Sequence, residues 1–462
     1  MTKLYTTVYN FIVKSIKTIL LILLLPILVF ATKTILDLRK SAAGTPANII
    51  INTQNPGSNI SPALWQNISQ GGEEPVDMIK PIIGQIRLLH PQLIRVDHLF
   101  DYYDVYRNDN NYNFSRLDEV VDSILSTGAK PMLSLSYTTA SMSKSGQNAG
   151  EPNDWNQWAS LVKATAHRYS IEKKISGIYY EVWNEPDLFG GWHYGKSPNY
   201  STLYINTAKA VAAGAKGSVY KVGGPAITAY YSNWIKAIFK TASSNNVPLD
   251  FISWHKYSTN ISDYLADFDN LNKILSDYPK YFNIERLITE IGPNSDPDKS
   301  YDTSQSGIHL ISLTTQLYGK IHRIFSFEAI DGPSPRSSVS TGWGLLTHDQ
   351  KPKPRFYAFQ FLNKLSGKLL PSSGDGSWVT SLSSKSGSTF QTLIVNYDPK
   401  NTHIETTPIT FQGLTPGRYQ LKTSQYLGKT TTKSFTVSPS GYIENIYLEP
   451  NTAYFLELQM IQ

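Results

Sequence analysis

Two glutamates occupy positions where chemistry is readily placed. Glu185 closes the run Gly177-Ile-Tyr-Tyr-Glu-Val-Trp-Asn-Glu-Pro186, and Glu290 closes Arg286-Leu-Ile-Thr-Glu-Ile-Gly292. Both runs are short and rich in β-branched and aromatic residues, which reads as strand. Two carboxyls facing one bowl can divide labour, one acting as an acid and the other staying ionised as a nucleophile. Further polar groups lie nearby in the pattern: Asn184 beside Glu185, His255 and Tyr257 two places apart, and Arg95 followed by Asp97 and His98. Glu181, inside the Glu185 run, reads as a buried partner for a cation. No HxH or HExxH spacing links His98, His193 and His255, so no metal is expected. With no cysteine in the chain, thiolate zinc, iron-sulfur clusters and a cysteine nucleophile are excluded.

The elements that must position these groups alternate. Strand-like runs recur at residues 63–65, 93–96, 131–135, 177–183, 221–224, 251–254, 286–289 and 321–327. Segments of helical spacing separate most of them, such as Leu117, Val120, Val121 and Ile124, or Trp155, Trp158, Ala159, Val162 and Ala166. That alternation predicts an α/β fold, a (β/α)8 barrel. A doubly wound sheet is the rival, but no glycine-rich phosphate loop follows the first strand. In a barrel, Glu185 and Glu290 end the fourth and seventh strands at the active face. From about Gly367 the texture becomes short strands with turns such as Leu414-Thr-Pro-Gly417, predicting a C-terminal antiparallel β-sandwich. The expected division is a signal or anchor segment at 1–40, a linker at 41–47, the barrel at 48–366 and the sandwich at 367–462. Residues 48–52 are an alternative sandwich strand. Eight of the nine tryptophans, Trp65 to Trp343, fall in the barrel region, which points to the ligand site there.

The net charge of +6 invites a nucleic-acid reading, which its distribution removes. Residues 1–40 hold six basic side chains against Asp37, a net of +5, leaving +1 for the other 422 residues. The body has no basic field of the kind that binds phosphate backbones, so no nucleic-acid partner is expected. The leader instead carries an uncharged Leu/Ile-rich run at 18–32 after Lys14 and Lys17, an N-terminal membrane anchor or signal helix. Either an uncleaved anchor or a signal cleaved near Val29-Phe30-Ala31 fits the run. The body is expected outside the cytoplasmic membrane, attached through that helix or secreted.

Trp183-Asn184-Glu185-Pro186 and Thr289-Glu290-Ile291-Gly292 resemble the acid/base and nucleophile motifs of the clan A retaining glycoside hydrolases. Within that clan the chain is similar to family 39, the β-xylosidase and α-L-iduronidase type. Val222-Gly-Gly-Pro-Ala226, Ser253-Trp-His-Lys-Tyr257, Gly342-Trp-Gly-Leu-Leu346 and Lys353-Pro-Arg-Phe-Tyr-Ala358 follow in the family's order, and the resemblance spans roughly residues 48–462.

The resemblance implies a carbohydrate substrate, no cofactor, Glu185 as general acid/base and Glu290 as nucleophile. It implies that Asn184 bonds the sugar 2-hydroxyl, Tyr257 donates to the nucleophile and Arg95 steadies it, with His255 on the same side. Simple alternation puts Asn184 opposite Trp183 and Glu185, so its role requires a bulge. Where the family tends to have histidine two places after the arginine, this chain has Asp97, then His98. Trp343 or Trp192 would supply a stacking face for the sugar. Three functions stay open: hydrolysis by double displacement, a membrane-anchored endoglycosidase or transglycosylase tailoring exopolysaccharide, and a non-catalytic carbohydrate-binding pseudoenzyme.

Overall fold

A computed structural model describes residues 44–72, 74–108, 111–333, 342–438 and 441–461. The expected leader at 1–40 lies outside the described residues. Among those described, no helix is long and apolar enough to cross a membrane.

The first strand, β1 (Ile49–Asn52), belongs to the sandwich, where it runs parallel to a later strand. The barrel follows: β2 (Asn67–Gln70), β3 (Leu93–Val96), β6 (Lys130–Leu135), β7 (Ile178–Val182), β8 (Tyr220–Ile227), β9 (Phe251–Tyr257), β10 (Glu285–Gly292) and β11 (Arg323–Phe327). These eight close in sequence order, and a small hairpin, β4 (Tyr106–Asn108) and β5 (Asn111–Tyr112), follows β3. Each barrel strand leads to a helix: α1 (Ile83–Arg87), α2 (Ser115–Ser126), α3 (Trp155–His167), α4 (Tyr200–Gly214), α5 (Ser232–Asn245), α6 (Ile261–Leu275), α7 (Ser304–Leu317) and α8 (Pro354–Leu362). Helix α2 shows why: Leu117, Val120, Val121 and Ile124 recur at helical spacing and all are buried against the barrel. Inside the barrel, Leu93, Met132, Tyr179, Phe251, Leu287 and Phe325 form an apolar plug below the polar layer that carries the site.

The expected strand at 63–65 is instead a 3-10 turn, Pro62–Leu64, and the strand starts at Asn67. Proline at the first helical position and the Ser61 hydroxyl accepting from Ala63 N–H favour the turn. The strand escapes an apolar pattern because its sequence, Asn-Ile-Ser-Gln, satisfies its polar groups inside the protein; Asn67 donates to the Ala63 carbonyl at 2.7 Å.

The sandwich comprises β12 (Lys368–Leu369), β13 (Ser372–Ser373), β14 (Val379–Ser386), β15 (Thr389–Asn396), β16 (Glu405–Gln412), β17 (Gly417–Gln425), β18 (Thr430–Val437), β19 (Tyr442–Leu448) and β20 (Thr452–Met460). One sheet has the order β12-β14-β15-β20-β17-β18 and the other β13-β1-β16-β19. Residues 44–47, the described part of the expected linker, are engaged with it. Thr45 N–H donates to Ser377, and the Ala47 N–H donates to the buried Glu405 carboxylate. The sandwich packs on α7, where Thr315 bonds Thr380 at 2.7 Å and Gly307 lies against the Tyr426 hydroxyl. Tyr397 of the sandwich donates to the Thr259 carbonyl at 2.7 Å.

Candidate active site

The end of β7 solves the problem that alternation raises for Asn184. Trp183 has φ 71° and Glu185 φ 45°, both in the left-handed region that non-glycine residues seldom enter. The first twist sends the Trp183 ring outward among Trp158, Trp192 and Tyr137. It thereby turns Asn184 into the barrel, where simple alternation would have put the tryptophan. Glu185 is fixed by its backbone: its N–H donates to the Ala226 carbonyl at 2.9 Å, at a register shift between β8 and β9.

Glu290 is aimed by a second irregularity. Register with β9 slips between Ile288 and Glu290, so Glu290 aligns with His255 and Gly292 with Tyr257. A bulge of this kind re-aims the side chain that follows it.

Arg95, fully buried on β3, connects the set. Its Nε donates to Glu181 at 2.6 Å, Nη1 to Glu290 at 3.0 Å and Nη2 to the Asn184 oxygen at 2.6 Å. Burial opposes its charge, but Glu181, Glu290 and Asp97 together outweigh that and hold the guanidinium above its ordinary pKa. Tyr257 donates its hydroxyl to the other Glu290 oxygen at 2.7 Å. His255 Nδ1 lies 2.9 Å from Glu185 and 3.4 Å from Glu290. Burial pulls the imidazole pKa down, and the two carboxylates more than reverse this, leaving it above the ordinary 6.5. Burial raises Glu290 above the ordinary carboxylate value against the pull of His255 and Arg95.

Oxygens of Glu185 and Glu290 and a nitrogen of His255 all lie within 4.8 Å of one another. Donors of this kind also suit a small cation, but each Glu290 oxygen already accepts a hydrogen bond, one from a guanidinium and one from a phenol. The pair opens into a cleft of about 670 Å³. Asp97, His98, Asn184, Tyr257 and Trp343 line it, joined by Tyr137, Phe189, Tyr231, Asp296 and Phe327. His98 is steadied by Asp101 at 2.8 Å and by stacking on Tyr102.

Three expected residues do not line the cleft: Arg95 and His255 are buried beneath it against the glutamates, and Trp192 is remote from it. Trp192 is 1% exposed and wedged between Trp183 and Trp155, because the outward turn of Trp183 creates an aromatic core that absorbs it. Trp343 instead lies on the cleft wall beside Phe327. Tyr137, which the sequence reading did not single out, accepts from Asn184 Nδ2 at 2.7 Å. Its place directly after the β6 run was the available signal.

A closed (β/α)8 barrel with acidic side chains at the ends of its fourth and seventh strands is the architecture of the clan A glycoside hydrolases. The sequence matches the profile described as glycosyl hydrolases family 39 over residues 85–407, and the chain belongs to that family. A β-xylosidase of Geobacillus stearothermophilus is 28% identical over 301 residues, 57% of this chain and 58% of the relative. A β-xylosidase of Caldicellulosiruptor saccharolyticus is 27% identical over 302 residues, 57% of this chain and 60% of the relative. The chain thus spans less than two thirds of these curated relatives. A solved monomeric β-xylosidase from Caulobacter crescentus CB15 superposes with a TM-score of 0.76 at 18% identity, covering 90% of this chain and 100% of that one.

Proposed function

We propose that the chain is a retaining glycoside hydrolase that cleaves O-glycosidic bonds in oligo- or polysaccharides, with Glu290 as nucleophile and Glu185 as general acid/base. The observation that carries this is the carboxylate pair itself, with an oxygen of each within 4.8 Å of the other. Retaining enzymes hold their carboxyls about 5 to 5.5 Å apart, whereas inverting enzymes leave room for a water. The two environments support the division of roles. Arg95 and Tyr257 each donate to one oxygen of Glu290 and hold it in place as a nucleophile, whereas Glu185 lies against His255 and is the more open to the cleft, where a departing glycosidic oxygen would sit.

In the first step a Glu290 oxygen attacks the anomeric carbon while Glu185 gives its proton to the departing glycosidic oxygen. In the second, Glu185 takes a proton from water, which attacks the same carbon and releases Glu290. Asn184, oriented by Arg95 and Tyr137, retains one amide N–H for a sugar hydroxyl. Trp343 and Phe327 offer ring faces to the glycon.

The test is Glu290→Gln and Glu185→Gln on an aryl β-xyloside, the substrate that the relatives' names make the first choice. Both variants lose turnover, and azide restores it in Glu185→Gln only. Full activity in either variant refutes the assignment. The leader supports placement of the barrel outside the cytoplasmic membrane, to be checked by cell fractionation with protease protection.

A further inference from the structure

Among the described residues lining the cleft, Asp97 is the one acidic side chain with a buried oxygen that has no hydrogen-bond partner. It follows the β3 strand that carries Arg95, is 5% exposed, and lines the same cleft as Glu185, Glu290 and Asn184. Its Oδ1 is buried and has no hydrogen-bond partner among the described residues. Arg95 lies nearby, but its hydrogen bonds go to Glu181, Glu290 and Asn184 and none reaches this oxygen. A buried polar atom without a partner costs free energy, so a fold retains one where something else completes it.

The cleft wall also has a one-sided charge. Asp97, Glu185, Glu290 and Asp296 line it, and among the described lining residues there is no lysine or arginine. Among the described lining residues His98 is the only histidine, and it is engaged by Asp101. A carboxylate on the glycon would meet four acids, while the nearby cations, Arg95 and His255, are already committed to Glu181, Glu290 and Glu185, an arrangement that repels it. Sugar hydroxyls suit it, since each brings a donor to an acceptor-rich wall.

We propose that Asp97 is a specificity-determining residue that accepts a hydroxyl of a neutral glycon, and that the site takes uncharged sugars and rejects uronates. This rests on the glycosidase reading above and deepens it. Burial raises the Asp97 pKa against the pull of His98 and Arg95, so an incoming hydroxyl stabilises a carboxylate that the free site leaves strained.

The experiment uses the full chain and Asp97→Asn, which keeps the shape and removes the charge. Substrates are an aryl xyloside, arabinoside, glucoside and galactoside, the matching glucuronide and iduronide, and mono-deoxy forms of the best neutral substrate. Loss of a hydrogen bond to a charged acceptor predicts that Asp97→Asn lowers kcat/KM by ~10- to 100-fold on the neutral substrate. The same substitution costs little on the one deoxy substrate that lacks the partner hydroxyl. The unfolding midpoint of Asp97→Asn is equal to or above that of the parent, because an unsatisfied buried carboxylate has gone.

An equal loss on every deoxy substrate, or a lowered midpoint accounting for the loss, makes Asp97 merely structural and overturns the proposal. So does cleavage of a uronide as fast as the neutral sugar. A parent that cleaves no glycoside in the panel refutes the glycosidase reading itself, an outcome distinct from either.

Discussion

Replacing Tyr257 with phenylalanine isolates one contact of the proposed nucleophile. The substitution removes a single hydroxyl, which donates to Glu290 at 2.7 Å, and leaves the ring edge-on to Phe327 at 6.4 Å. Hydrogen bonds to charged groups contribute roughly 1.5–3 kcal/mol, equivalent to ~10- to 150-fold in an equilibrium or rate constant. The contact favours ionised Glu290 over its protonated form, so its loss raises a pKa that burial has already raised. The acid limb of kcat/KM against pH therefore moves upward in Tyr257→Phe. Activity falls by ~10- to 100-fold on the acidic side and by less on the plateau. Departure of the Glu290 carboxylate from the glycosyl-enzyme also loses a stabilising donor, so hydrolysis of that intermediate slows and a pre-steady-state burst appears. Stopped-flow release of nitrophenol across the pH range measures both. An acid limb that stays in place, with the same loss at every pH, refutes the reasoning.

Other consequences follow from the same geometry. Arg95→Met leaves Glu181 buried without its cation and lowers the stability measured by chemical denaturation by about 3–5 kcal/mol; adding Glu181→Gln recovers part of it. His255 binds its proton more tightly folded than unfolded, so its stabilisation is complete below pH 6.5 and is lost as pH rises through the higher folded pKa. Unfolding free energies of the parent therefore fall over that window more than those of His255→Gln. Phe189 and Tyr231 each stand 42% exposed on the cleft. Replacing either with alanine raises KM for an oligosaccharide by roughly 2- to 10-fold while leaving that for a small aryl glycoside nearly unchanged.

The barrel was legible because its helices and strands obey different periods, and Leu117 to Ile124 or Trp155 to Ala166 show the helical one plainly. The two glutamates stood out because each closes a strand-like run. What escaped reading is local and non-periodic. The 63–65 run is apolar enough for a strand, yet Pro62 and Ser61 make it a turn, while polar Asn67–Gln70 forms the strand. Positive φ at Trp183 and Glu185 is imposed by neighbouring backbone at Ala226 and by aromatic packing, neither of which spacing encodes. The same turn decides the fate of Trp192, whose composition suits a stacking face but whose surroundings bury it. The departure at Asp97 was visible as a residue type, but its unsatisfied oxygen shows only in the folded site, where the Arg95 bonds turn to Glu181, Glu290 and Asn184.

The central claim is that Glu290 forms a covalent bond with the sugar. An activated 2-deoxy-2-fluoro glycoside of the best neutral substrate, incubated with the full chain, tests it through intact mass and peptide mapping. The account predicts a mass increase of one fluoroglycosyl unit, located on the peptide that contains Glu290, with activity lost in step. Label on another residue, or inactivation without any covalent adduct, would contradict it.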